Sequence, residues 1–285
     1  MNAVTQKAYA KINLGLDVLR RRADGYHEVQ MIMQTLDIYD ELELAIQEEE
    51  ITVSTDNMEL PVDKNNLVYQ AAALMKQRFQ LEKGVSIHLK KRIPIAAGMA
   101  GGSADAAAVF RGMNELFDLG ASPETLQSLG VKVGADVPYC ILGGTVLCEG
   151  IGEVLTTLPS APACKVLVAK PRISVSTKYV YEHLGADTLT AHPDIPGMAE
   201  AIRQGSLDGV VERLGNVLET VTQNQYPVIR QLKETMLFTG ALGALMSGSG
   251  PTVFGLYQTQ EEARQGYEII RKSGMAEALF VTEFV

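Results

Sequence analysis

The sequence predicts an α+β fold in two lobes. Its opening alternates apolar and polar residues at the period of a β-strand, later stretches carry apolar residues at helical spacing, and the two kinds of element mix without a strict βαβ rhythm. A chain of 285 residues is long enough to bury a full core.

The first strand puts Ala8, Ala10, Ile12, Leu14, Leu16 and Val18 on one face and Lys11, Asn13 and Asp17 on the other. Arg20, Arg21 and Arg22 run into Asp24-Gly25, a turn signal, and alternation resumes at Val29, Met31 and Met33 and again at Leu42, Leu44 and Ile46. Further strand patterns lie at Ile51 to Val53 and Val85 to Leu89. Residues 66–80 carry Leu67, Ala71, Leu74 and Phe79 at helical spacing, and 103–117 repeat the pattern after a glycine cluster. Ser122-Pro123-Glu124 reads as an N-cap followed by proline in the first turn. A small-residue and proline stretch at Ala161-Pro162 precedes the apolar strand Val166 to Ala169, which divides the chain into lobes 1–160 and 161–285. Helical patterns follow at 176–184, 196–222 and 226–238. Ala241 to Tyr257 reads as strand, Gly-Ser turn and strand, Gln260 to Lys272 as a helix, and Leu279 to Val285 as the last strand.

With 25 Lys plus Arg against 34 Asp plus Glu the net charge is −9, so nothing global attracts nucleic acid or an anionic membrane. An anionic ligand has to be captured locally. Cys140, Cys148 and Cys164 are odd in number with no CxxC spacing, and neither a signal segment nor a bilayer-spanning apolar run is present. The expectation is a reduced, cytoplasmic, soluble protein.

No GxxxxGK[ST], GxGxxG, HExxH or GxSxG pattern occurs. The central feature is Pro94 to Ala108, which follows a strand and opens a helix. Six of its residues between 97 and 103 are small (Ala97, Gly98, Ala100, Gly101, Gly102 and Ser103), with Lys90, Lys91 and Arg92 just upstream. Small residues let a backbone approach a ligand, and a helix N-terminus offers unpaired N–H groups of positive partial charge, so the loop suits phosphate oxygens. The bland reading is a connection whose alanines pack at a helix crossing. Asp136, in Gly134-Ala135-Asp136-Val137-Pro138-Tyr139-Cys140, is either an N-cap or turn former or a partly desolvated carboxylate for proton chemistry. Met246-Ser247-Gly248-Ser249-Gly250-Pro251-Thr252, between two apolar strands, is either a hairpin turn or a backbone nest for an anion. Lys11 is either an edge charge or a site cation, and Tyr26-His27 either pack and solvate or read a ligand.

In this order, AYAKINLGLDVLRRRADGYHEV, PIAAGMAGGSADAAA and MSGSGPTVFGL resemble the three motifs of the GHMP small-molecule kinase family. DGYHE, GADVPYC and the later Pro171 to Thr177 stretch resemble its branch acting on 4-diphosphocytidyl-2-C-methyl-D-erythritol, and the similarity runs from about residue 7 to the last strand. The resemblance implies the GHMP kinase fold, ATP bound by lobe 1–160, a substrate side in 161–285, and an active site in the cleft between lobes. Gly98, Met99, Ala100, Gly101, Gly102 and Ser103, flanked by Pro94 and Ala104, would wrap the ATP phosphates, with Asn66 and Lys91 near the adenosine. Asp136 would be the catalytic acid and Lys11 its charged partner. Asn13, Gly248 and Ser249 would hold the acceptor end, and Tyr26, His27 and Tyr181 the cytosine. Mg²⁺ would accompany ATP, held mainly by phosphates and water, in a monomer or homodimer. The family loop reads GLGGGSSDAA, so Met99, Ala100 and Ala104 are departures that leave Ser103 as the one hydroxyl there. The competing readings are a homoserine, mevalonate or galactose kinase, whose acceptors carry no base for Tyr26-His27, and a non-catalytic nucleotide-binding regulator, which needs neither Lys11 nor Asp136.

Overall fold

A computed structural model describes residues 2–285. The chain divides into two compact units: the first takes in the chain up to Ala10, Ile38–Ile95 and Ala100–Gly143, the second Lys11–Asp37, Ala96–Met99 and Gly144–Val285. This differs from the contiguous division at 160/161. Strands β1 (Ala3–Arg21) and β2 (His27–Gln47), of 19 and 21 residues, each belong to both units. The stretch at Ala161-Pro162 is a connection inside the second.

In the first unit the strands run in the order β3-β4-β2-β1, where β3 is Ile51–Thr55 and β4 is Gly84–Lys90. β4 is antiparallel to β2, from Glu41 opposite Lys90 to Gln47 opposite Gly84, and parallel to β3. Helix α1 (Leu67–Arg78) starts where the Asn66 side chain accepts from Val68 N, and α2 (Gly101–Leu116) follows the glycine cluster. Helix α3 (Pro123–Gly130) has the expected Ser122 cap, and α4 (Val137–Leu142) is a short helix that no periodicity announced. Leu42, Leu44, Val85, Ile87 and Leu89 of the sheet bury against Val68, Met75, Phe110 and Met113. Ala104 and Ala106 to Ala108 are all buried, and their small size allows α1 and α4 to approach α2 closely.

In the second unit, β5 (Thr145–Glu149) pairs antiparallel with β2 at Met31 to Gln34 and with β6 (Val154–Thr157). Then come β7 (Lys165–Lys170), α5 (Thr177–His183), a 3₁₀ turn at Ala186–Thr188, α6 (Ile195–Arg203), α7 (Leu207–Val211), β8 (Gly215–Asn216), α8 (Glu219–Gln225) and α9 (Pro227–Phe238). They are followed by β9 (Gly243–Met246), β10 (Val253–Tyr257), α10 (Gln260–Ser273) and β11 (Ala278–Glu283), and the sheet β11-β7-β10-β9 is antiparallel throughout. The single helix expected over 196–222 is broken into three helices and a strand. Gly205 (φ +66°) ends the first, Ser206 caps the second, and Gly215 pairs with Gly15 of β1. Apolar periodicity continues through these breaks, so it hides them. Among the described residues no helix is long and apolar enough to cross a membrane.

Candidate active site

The polar face of β1 is buried. The Lys11 ammonium donates to Asn13 Oδ1 at 2.7 Å, and Lys11 N donates to the Met99 carbonyl at 3.1 Å. Asn13 N donates to Ser247 Oγ at 3.3 Å, and that hydroxyl donates to the Gly98 carbonyl at 2.9 Å. Three segments far apart in sequence, the first strand, the start of the glycine loop and the Ser247 turn, are thus joined directly. Lys11 is 4% exposed, which removes the edge-charge reading. Gly98 has φ +74°, and a Cβ there would stand 2.5 Å from the Ser247 carbonyl oxygen, so loop and turn touch through bare backbone. The turn is fixed from behind by Asn216, whose amide donates to the carbonyls of Met246 and Gly248, both at 2.8 Å.

Helix α5 carries Thr177 and Tyr181 four residues apart, hence on one face. Thr177 Oγ1 shares a 2.8 Å hydrogen bond with Ser249 Oγ, and the Tyr181 ring lies 5.1 Å from the His27 ring, tilted by 40°. Burial lowers the His27 pKa, assisted by the charge of Arg21 and opposed by Asp187. The neutral imidazole then has one donor and one acceptor nitrogen. Tyr26 is 59% exposed, at the end of the Asp24-Gly25 turn, where its N–H donates to Asp24 Oδ1. Further along β1, the Asp17 carboxylate accepts from Val18 N and pairs with His192 Nδ1 at 2.8 Å.

In the first unit, Ala100 stands at the N-cap of α2 with φ +56° and provides no side-chain cap. The first N–H groups of the helix therefore lack a side-chain acceptor, the condition that makes a helix start receptive to an anion. Gly102 is exposed, and a Cβ there would touch Leu67 at 3.4 Å, so the start of α1, capped by Asn66, lies beside this turn. Asn66 holds itself in place by donating to the Pro61 carbonyl at 2.7 Å. A Cβ on Gly134 would come 3.7 Å from Ser103 Oγ, which sets the Asp136 turn against the same helix start. Asp136 is half-buried at the N-cap of α4, where its carboxylate makes no capping hydrogen bond.

Lys91 is placed differently from a residue that simply faces a nucleotide. Its side chain is 4% exposed, and its ammonium pairs with Asp40 Oδ2 at 2.5 Å and Asp105 Oδ2 at 2.7 Å. Asp40 was not singled out from sequence, although it falls in phase with Ile38, Leu42 and Leu44 on the buried face of β2. An acid in phase with a strand's apolar residues was the available signal. Thr177 likewise reads as an ordinary hydroxyl until the fold brings it to Ser249. Among the described residues no group of three or more His, Cys, Asp or Glu could hold a metal ion.

Residues 66–144 match the model of the GHMP kinases N terminal domain, and residues 198–275 that of the GHMP kinases C terminal domain. The chain is 50% identical to the 4-diphosphocytidyl-2-C-methyl-D-erythritol kinase of Lachnospira eligens, over 99% of each chain. The chain belongs to the GHMP kinase family. This GHMP kinase is also 50% identical to the 4-diphosphocytidyl-2-C-methyl-D-erythritol kinase of Bacillus subtilis, over 94% of this chain and 93% of that one. Among solved structures it is similar to a 4-(cytidine 5'-diphospho)-2C-methyl-D-erythritol kinase, with TM-score 0.85 and 31% identity over 99% of both chains. The homoserine kinase of Cytophaga hutchinsonii shares the fold, with TM-score 0.80 and 20% identity over 99% of this chain and 95% of that one.

Proposed function

We propose that this GHMP kinase transfers the γ-phosphoryl group of ATP to the 2-hydroxyl of 4-diphosphocytidyl-2-C-methyl-D-erythritol, a step in isoprenoid precursor synthesis. The observation that carries the acceptor assignment is the His27–Tyr181 pair, ring centroids 5.1 Å apart. A flat base needs an aromatic surface and a hydrogen-bonding edge, and this pair offers both. Homoserine, mevalonate and galactose present nothing to occupy it.

In the mechanism the glycine turn and the first N–H groups of α2 receive the triphosphate, with Ser103 the available hydroxyl. Phosphoryl transfer passes through a loose transition state, so positioning and charge neutralisation dominate, and a weak carboxylate base suffices for a hydroxyl whose proton leaves late. Asp136 takes that proton. Lys11 offsets the negative charge that grows between donor and acceptor, a contribution of a few kcal/mol in a water-poor site. Asn13 and Ser249, fixed by the contacts described above, hold the acceptor. Mg²⁺ would be carried by the triphosphate and held mainly by phosphates and water, because Asp105, the one acid of the loop, points its carboxylate at Lys91. When bound it supplies charge neutralisation. The test is ADP release by purified protein offered the cytidylyl acceptor, mevalonate, homoserine and galactose side by side. Turnover with the first alone is expected, and turnover with only one of the others would overturn the assignment.

A further inference from the structure

Beneath the start of α2 lies a charge cluster that the reaction as described does not use. Asp40 Oδ1 accepts from the main-chain N–H groups of Arg92, at 2.5 Å, and Ile93, at 2.8 Å, while its Oδ2 takes the Lys91 ammonium. Lys91 then reaches from the turn after β4 to Asp105 in α2. Gly101, first residue of the helix, lies directly on this cation: a Cβ there would be 3.0 Å from Lys91 Nζ. The other Asp105 oxygen, Oδ1, is buried with no hydrogen-bond partner.

Two carboxylates and one ammonium in a buried site leave one negative charge uncompensated unless a carboxyl takes a proton. Asp105, with a single donor against the three that reach Asp40, is the carboxyl that takes it. Burial accordingly raises the Asp105 pKa to about 8, with Lys91 opposing and Asp40 adding to the rise. Burial works against the charge on Lys91, but Asp105 and Asp40 outweigh it and keep the ammonium protonated. The cluster is then neutral overall, and no net negative charge sits under the turn that faces the triphosphate.

We propose that Asp105 is a positioning residue for ATP: by tying Lys91 to α2 it fixes the backbone at Gly101 and so the N–H groups that receive the phosphates. This rests on the reading of the glycine turn as the triphosphate site. Asp105 does not touch the nucleotide. Its removal leaves the Lys91–Asp40 pair intact, which makes it a gentler probe than Lys91, whose loss would strand a buried carboxylate.

The experiment is calorimetric titration of the folded wild type, Asp105→Ala and Asp105→Asn with a non-hydrolysable ATP analogue and, separately, with cytidine diphosphate. Asp105→Ala is expected to weaken the ATP analogue roughly tenfold, the scale of one lost positioning contact, with cytidine diphosphate unchanged within about twofold. Asp105→Asn, a neutral group that still accepts from Lys91, should restore most of the loss. A purely structural role would weaken both ligands together or neither, with no rescue by Asn, and either result overturns the proposal. No binding of the ATP analogue by the wild type would overturn the reading of the turn itself, and the proposal with it. Normal wild-type binding with unaltered Asp105→Ala binding overturns the proposal alone.

Discussion

Gly98→Ala probes the contact that joins the glycine loop to the Ser247 turn. The residue has φ +74°, and its Cβ would stand 2.5 Å from the Ser247 carbonyl oxygen and 3.0 Å from that of Gly250. The left-handed backbone alone costs a residue with a Cβ about 1 to 2 kcal/mol. The two oxygens belong to main chain, so relief requires moving the turn that Asn216 holds from behind, and forced overpacking of this kind costs about 1 to 3 kcal/mol more. Stiffening of the unfolded chain returns about 0.4 to 1 kcal/mol, which leaves a net destabilisation of about 2 to 4 kcal/mol. Gly120 supplies the internal control, with φ +61° and nothing within 4 Å of a built Cβ. Gly120→Ala carries the backbone term only and should lose about 1 kcal/mol or less. Urea unfolding of both variants beside the wild type reads the difference as a shift in midpoint at constant slope. If Gly98→Ala and Gly120→Ala agree within about 0.5 kcal/mol, the loop and turn are not in the contact described.

Asp136→Asn keeps the shape of the side chain but removes the proton acceptor, so kcat and kcat/KM should fall together by about two orders of magnitude or more while both substrates still bind. Steady-state kinetics and calorimetry check this. Lys11→Met should lose turnover on a similar scale and also some stability, about 1 kcal/mol or more, because Asn13 Oδ1 loses its buried donor; a variant with normal rate would return Lys11 to a structural role. His27→Ala should abolish most of the preference for the cytidine over the uridine form of the acceptor, since a mismatched base edge leaves a site group unpaired. The ratio of kcat/KM for the two nucleotides, in wild type and variant, measures it. The Asp105 carboxyl, pushed from 3.8 up to about 8 by burial, keeps a proton in the folded chain that the unfolded chain has released, so stability should decline as pH rises across that window and level off above it. Asp105→Asn should flatten the decline, as seen in melting temperatures recorded across the window.

Much of this site was legible because its residues obey local rules. Lys11 and Asn13 share a face of β1 by simple alternation, and the Ser122 cap and the Asp24-Gly25 turn follow from their residue types. Helix α4 was not legible, since six residues with proline in the first turn carry too few apolar repeats to declare a period. The division into units escaped as well: β1 and β2 look like ordinary strands from their alternation, and nothing local says that each serves two units. Lys91 illustrates a different loss. Beside Lys90 and Arg92 it reads as a cation for a bound anion, and only the packing of β2 against the turn after β4 reveals Asp40 behind it. Tyr181 meets His27 only through the fold, which sets it on α5 with its ring against the imidazole.

The most direct test of the central claim is phosphorus NMR of the product formed by wild-type protein from ATP and 4-diphosphocytidyl-2-C-methyl-D-erythritol. One new phosphomonoester resonance is expected, a singlet because the methyl-bearing C2 carries no hydrogen, equal in amount to the ADP released and with the acceptor's diphosphate resonances retained. Release of ADP with inorganic phosphate and no new ester, or an ester on any other hydroxyl, would contradict it.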